Sequence, residues 1–317
     1  MQPISKIYLK DWQDYKSLFE SYDNSSKKYI FRGHSNSINE KNEFIEWGLE
    51  SSFNRKYKRS SVYSFENLLT QQFEPELFKI YYSNYRFPQI KELVNATTLE
   101  KCYFFQHYGI PTCFIDFTFD PLTALYFSIT SIEGNSGGTY DNDGNLITYS
   151  EDQNRDFVTV YQIEPLEFLK VFNIKEINRS DFDVFNLESY RAPALTFSPN
   201  RPLLAFDLNP TSTASDQVIN FNLQKQDGCF LFYDNKDIGM SLEKYIEDYC
   251  KFENIQIDAP LITKYYINYN CLYKKRGIEN RNLDTVFTFL QKKGRTGEKL
   301  FEDLQGLKYD FNLFHQQ

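Results

Sequence analysis

The residues best equipped for chemistry open with Arg32, followed at once by Gly33, His34 and Ser35. A guanidinium beside apolar Ile30 and Phe31 is costly to bury unless it is paired. Its planar fork suits a phosphate or a carboxylate bidentately. Gly33 would let a ligand approach the backbone closely, while His34 and Ser35 add a titratable ring and a hydroxyl to the same edge. The competing reading makes Arg32 half of an internal salt bridge, with Asp116 as the natural partner.

A second group lies downstream in Phe105-Gln106-His107-Tyr108-Gly109-Ile110-Pro111-Thr112 and Phe114-Ile115-Asp116-Phe117-Thr118. The chain has three histidines, and two of them, His34 and His107, fall in these motifs, each a candidate catalytic ring or a hydrogen-bonded structural group. Asp116 is flanked by Phe and Ile, where an unpaired buried carboxylate is expensive. It therefore requires a partner: Arg32, His107 or backbone N–H groups. Thr118, Tyr126 and Gln226 complete the candidates; Gln226, with Asp227, precedes a Gly and a strand, a place where polar side chains often build a turn. Two histidines without clustered cysteines or carboxylates at ligand spacing predict no metal site. The motifs G-x-G-x-x-G, G-x-x-x-x-G-K-[ST], G-x-S-x-G and H-E-x-x-H are absent, which removes dinucleotide-fold dehydrogenases, P-loop NTPases, α/β-hydrolases and zincins.

Positioning these groups falls to a mixture of strands and helices. Strand patterns cover Ile7-Tyr-Leu9, Tyr29 to Gly33, Cys113 to Phe117, Phe157 to Tyr161, Leu203 to Phe206, Cys229 to Tyr233 and Leu261 to Ile267. Helical periodicity covers Asp11 to Tyr22 with Asp11 as N-cap, Phe65 to Tyr82 with a break at Pro75, Ile90 to Tyr108, and a stretch near 284 to 292. Asp120-Pro121 has the N-cap and first-turn chemistry of a helix start. The stretch 134–155 is rich in Gly, Asn, Asp and Ser and reads as an exposed loop or hairpin tip. Strands without strictly alternating helices point to an α+β fold, a mixed and largely antiparallel sheet with helices packed around it.

Composition narrows the partners. The formal net charge of −8 disfavours polyanionic nucleic acid as a general partner; the runs Arg55 to Arg59 and Lys274 to Arg276 are the local exceptions. Thirty Phe and 24 Tyr against two Trp and two Met supply an aromatic core rather than disorder. Five dispersed cysteines without a C-x-x-C pair suit a reducing cytoplasm, and no apolar run reaches the ~20 residues of a membrane span. The oligomeric state is not readable.

The motifs Tyr29-Ile-Phe-Arg-Gly-His-Ser35, Phe105 to Thr112 with Phe114 to Thr118, and Pro121-Leu-Thr-Ala-Leu-Tyr-Phe-Ser128 together resemble the bacterial FRG family, known by its Phe-Arg-Gly motif. Gln226-Asp-Gly-Cys-Phe230 and Leu300-Phe-Glu-Asp-Leu-Gln-Gly-Leu307 resemble its later elements, so the likeness runs over most of residues 1–317 and implies a single domain with a helical C-terminal end. Cys113 and Asn222 stand where the family usually carries Arg, and Glu302 where it carries Pro. The order Arg32 or His34, then Tyr126 with Ser128, then Gln226 also resembles the ADP-ribosyltransferase-like arrangement. That resemblance implies NAD as substrate, with Arg32, Gly33, Ser35, Asp116, Thr118 and Tyr126 holding it and His34, His107 and Gln226 acting on it. It further implies ADP-ribosyl transfer or NAD hydrolysis, while the resemblance to the FRG family implies a setting of stress response or phage defence. The alternative is a non-enzymatic interaction module whose Arg32, Asp116 and His107 form a structural network, with a protein rather than a nucleotide as partner.

Overall fold

The computed structural model describes residues 1–10, 12–35, 37–38, 44–45, 48–57, 96–107, 109–130, 139–140, 146–148, 157–178, 182, 187–195, 198, 200–210, 221–235, 239–268 and 282–301. The helix expected over 65–82 and the N-cap expected at Asp11 lie outside them. The strands are β1 (Ile4–Leu9), β2 (Ile30–Ser35), β3 (Ser37–Ile38), β4 (Phe44–Ile45), β5 (Phe114–Thr118), β6 (Thr139–Tyr140), β7 (Leu146–Thr148), β8 (Phe157–Ile163), β9 (Leu203–Asp207), β10 (Gly228–Asp234) and β11 (Ile262–Asn268). The helices are α1 (Trp12–Phe19), α2 (Ser52–Tyr57), α3 (Thr98–His107), α4 (Pro121–Thr130), α5 (Pro165–Phe172), α6 (Phe221–Lys225), α7 (Leu242–Phe252), α8 (Asn282–Lys292) and α9 (Gly297–Leu300).

Seven strands form one mixed sheet in the order β1-β11-β8-β2-β5-β10-β9. Only β1 and β11 run parallel; the other neighbours are antiparallel. This is the α+β architecture expected of the sequence. One face packs Ile30, Ile115, Phe117, Tyr161, Ile163 and Leu231 against α5 and α7. The opposite face is shared. Over β2, β8 and β11 lie α1, α4 and α8, burying Trp12, Tyr15, Leu125, Tyr126 and Leu290. Over β5, β10 and β9 lies α3, burying Cys102, Phe105, Phe114, Phe230 and Phe232.

Two local features decide where a site can form. Asp120 caps α4 as its sequence requires: its Oδ1 accepts from the Leu122 N–H at 3.0 Å and its Oδ2 from the Thr123 hydroxyl at 2.6 Å. Arg295 closes an ion pair on the same carboxylate. The second feature is a discontinuity. β2 holds six register pairs with β8 and β5 holds five with β10, but β2 and β5 share a single pair, Phe31 opposite Thr118. Beyond that pair the two strands part, leaving backbone groups at the gap for side chains to satisfy.

Candidate functional site

Arg32 and Asp116 meet at this gap. Arg32 stands opposite Tyr161 on β8, and its guanidinium reaches sideways to donate from Nη1 to the Asp116 carbonyl at 2.5 Å. The same Nη1 lies 3.7 Å from Asp116 Oδ2, with the Arg32 side chain 20% and the Asp116 side chain 51% exposed. Arg32 Nε donates to His34 Nε2 at 2.6 Å, which makes that nitrogen an acceptor and places the proton of a neutral ring on Nδ1. His34 also sets its ring edge-on to Tyr161, centroids 5.3 Å apart.

A directed chain of hydrogen bonds supports the carboxylate. The Phe114 N–H donates to Thr112 Oγ1 at 3.2 Å, and the Thr112 hydroxyl donates in turn to Gln106 Oε1. With its oxygen so engaged, Gln106 presents Nε2 to Asp116 Oδ2 at 2.8 Å. Each step has one donor and one acceptor, so the amide orientation of Gln106 follows from the network. Asp116 Oδ1 and Arg32 Nη2 have no hydrogen-bond partner among the described residues.

A second guanidinium lies within electrostatic reach of the first. Arg55 belongs to α2, which is tied down by the Phe53 N–H donating to the Thr112 carbonyl at 3.0 Å and the Thr112 N–H donating to Ser52 Oγ at 3.1 Å. Arg55 Nη1 donates to the Glu50 carbonyl at 2.8 Å. Burial lowers Arg32 from the ordinary guanidinium range; the Asp116 charge opposes this and repulsion from Arg55 adds to it. Burial likewise lowers Arg55, with Glu50 and Asp116 opposing. Both remain cations at neutral pH, so two positive charges act on each other and on Asp116 at the partly open gap.

The remaining sequence candidates have other employment. Gly33 is roofed by α4: a Cβ there would stand 1.9 Å from the Ala124 carbonyl oxygen and 2.6 Å from the Ser128 nitrogen. Its missing side chain serves helix packing rather than ligand approach. Tyr126 is fully buried in the core beneath α4 and offers no stacking face to a ligand. Thr118 donates to the Gln226 carbonyl at 2.5 Å and accepts from the Asp120 N–H at 3.0 Å, joining two turns. Gln226 donates from Nε2 to the Leu300 carbonyl at 3.0 Å, fastening α9 rather than reaching the gap. Ser35 and His107 are described through their backbone alone, in β2 opposite Val158 and at the end of α3.

The expectation that Asp116 sits buried is corrected by its half-exposed side chain, because the parted strands leave its face open. Cys113 and Asn222, the two departures at Arg positions, are both buried. Gln106, Thr112 and Tyr161 were not singled out by sequence reasoning, and Arg55 was named only as the start of a basic run weighed for nucleic acid. Gln106 and Thr112 lay inside a motif and Arg55 inside a basic run; what joined them to the site was the connection 109–113, which leads from α3 into β5 and holds α2 through Thr112. Among the described residues no group of three or more His, Cys, Asp or Glu side chains could hold a metal ion, and no helix is long and apolar enough to cross a membrane.

Comparison with known proteins places one family on this region: the FRG domain model matches residues 27–136. That stretch contains Arg32, Arg55, Gln106, Thr112 and Asp116, while Gln226 and Leu300 fall beyond it. No curated protein and no solved structure matches the chain.

Proposed function

We propose that the gap between β2 and β5, which lies within the stretch matching the FRG domain model, binds a nucleotide of the NAD class through its phosphates. One observation carries the reading: the Arg32 fork is held from behind, by Nε on His34 and Nη1 on the Asp116 carbonyl, while Nη2 has no partner among the described residues. A guanidinium fixed in this way has lost its side-chain freedom before any ligand arrives, which lowers the cost of bidentate recognition. Arg55 supplies the second positive charge that a pyrophosphate requires.

The reaction this reading implies is transfer or hydrolysis of the ADP-ribosyl unit, with a stress or defence role as its setting. The bond from ribose C1′ to nicotinamide breaks, nicotinamide leaves with the electron pair, and water or an acceptor nucleophile forms the new bond and gives up a proton. Asp116 is the group at the gap whose charge would stabilise the developing ribosyl cation. The competing interaction-module reading has its Arg32–Asp116 ion pair, at 3.7 Å, but it needs that pair buried, and the Asp116 side chain is 51% exposed.

Thermal melting of wild type and Arg32→Ala with and without NAD, ADP-ribose and ADP tests the proposal. At ligand concentrations ~100 times Kd the wild type gains about 2.7 kcal/mol, a rise of several degrees that Arg32→Ala abolishes while keeping its own ligand-free melting point. A collapsed Arg32→Ala protein together with no wild-type shift would overturn the reading in favour of a structural network.

A further inference from the structure

We infer that Asp116 reads sugar hydroxyls beside the phosphate position of Arg32, and that Gln106 holds it in the orientation to do so. The inference rests on the nucleotide reading of the same gap and names what that site selects: a phosphorylated sugar bearing free hydroxyls, as in a ribonucleotide.

The geometry separates the two carboxylate oxygens. Oδ2 takes the Gln106 amide at 2.8 Å and lies 3.7 Å from Arg32 Nη1, beyond hydrogen-bond reach. Oδ1 has no partner among the described residues, on a side chain 51% exposed. An Asp and an Arg this close would ordinarily form a direct bidentate pair. Here the Arg32 Nη1 hydrogen bond goes to the backbone carbonyl instead, and the Gln106 amide, itself oriented by the Thr112 hydroxyl, holds Oδ2. The two charged groups therefore form an ion pair at 3.7 Å without a bidentate fork, and Asp116 Oδ1 and Arg32 Nη2 stay without a hydrogen-bond partner among the described residues. An ionised carboxylate accepts only, so what it can receive from a ligand is a donor such as a sugar O–H, while the adjacent guanidinium takes an acceptor such as a phosphoryl oxygen. Ligands carrying both within a few ångströms of each other are phosphorylated sugars and ribonucleotides.

The test compares ADP with 2′,3′-dideoxy-ADP by calorimetric titration of the full chain, in wild type, Asp116→Ala, Gln106→Leu and Arg32→Ala. The wild type should prefer ADP by at least about tenfold, the scale of one hydrogen bond to a charged group. Asp116→Ala and Gln106→Leu should bring the ratio to near one while leaving dideoxy-ADP affinity within about threefold, since the phosphate contact persists. The ratio is a readout that a general loss of folding would not move in this way. A wild-type ratio near one, or a preference that survives in Asp116→Ala, overturns the hydroxyl-reading role alone. Binding of neither nucleotide, or binding that Arg32→Ala leaves intact, overturns the nucleotide reading of the gap and this inference with it.

Discussion

At the scale of single residues, the chain shows how one motif divides its labour between two faces of a strand. Arg32 and His34 of β2 work at the gap, whereas Gly33, between them, faces α4. A methyl group at Gly33 would meet helix backbone, which cannot turn aside as a side chain can. Gly33→Ala should therefore cost at least about 3 kcal/mol, read from urea unfolding; a loss under about 1 kcal/mol would show that α4 is free to shift outward. Asp227 offers a pH-dependent case. Burial pushes its carboxyl above the usual carboxylate range, Lys27 and Arg295 opposing and Asp120 reinforcing. The native state thus holds the proton more tightly than the unfolded chain, whose Asp pKa is about 3.9. This group favours folding below that pH and ceases to do so as pH rises through its higher native value. Its backbone is left-handed, φ 50°, which Asn tolerates well. Asp227→Asn should raise the melting temperature at pH 7, with the gain shrinking as pH falls through the carboxylate range; a gain independent of pH would refute the assignment.

At the scale of elements, the helix that carries Arg55 is placed by partners distant in sequence. The Leu49 N–H donates to Glu243 Oε2 at 2.8 Å, and Glu243 pairs with Lys264 at 3.6 Å across α7 and β11, both side chains at most 10% exposed. Lys264 also lies 4.9 Å from the Tyr161 ring centroid. Breaking such a pair strands a buried charge, so Lys264→Met should destabilise by about 3–5 kcal/mol, whereas Lys264→Met with Glu243→Leu should recover most of that loss. Equal losses in the single and double variants, measured by denaturant unfolding, would mean that Glu243 matters mainly as the acceptor for Leu49. Both helices on this face were legible in the sequence and were passed over: Leu242, Tyr245, Ile246 and Cys250 repeat at helical spacing after the Ser241 cap, and Phe168 and Phe172 follow Pro165. The α4 start at Asp120-Pro121 was read correctly because capping is a property of neighbours in the chain.

At the scale of the whole molecule, burial is so complete around the sheet that it governs reactivity as well as stability. Cys102, Cys113, Cys229 and Cys250 are all buried and unbridged. Burial raises the Cys229 thiol well above its ordinary range and Cys250 up to about 11. Since thiolate is the reactive form, these four should label with an aromatic disulfide reagent at pH 8 only at the rate of unfolding, followed by mass spectrometry; rapid labelling of any of them in the native state would contradict the packing. The sequence by itself determined the fold class, the seven principal strands, the capped helix and the FRG motifs, because alternation, helical period and capping depend on residues a few positions apart. It also brought Arg32 and Asp116 forward as partners. Only the tertiary structure decided that β2 and β5 part after one register pair, that Gln106 and Arg55 join the gap, and that Gly33, Thr118, Tyr126 and Gln226 serve packing and joining. Those outcomes depend on strand register and on which helix covers which face, and both are set by contacts between segments up to hundreds of residues apart, for which no local pattern carries a signal.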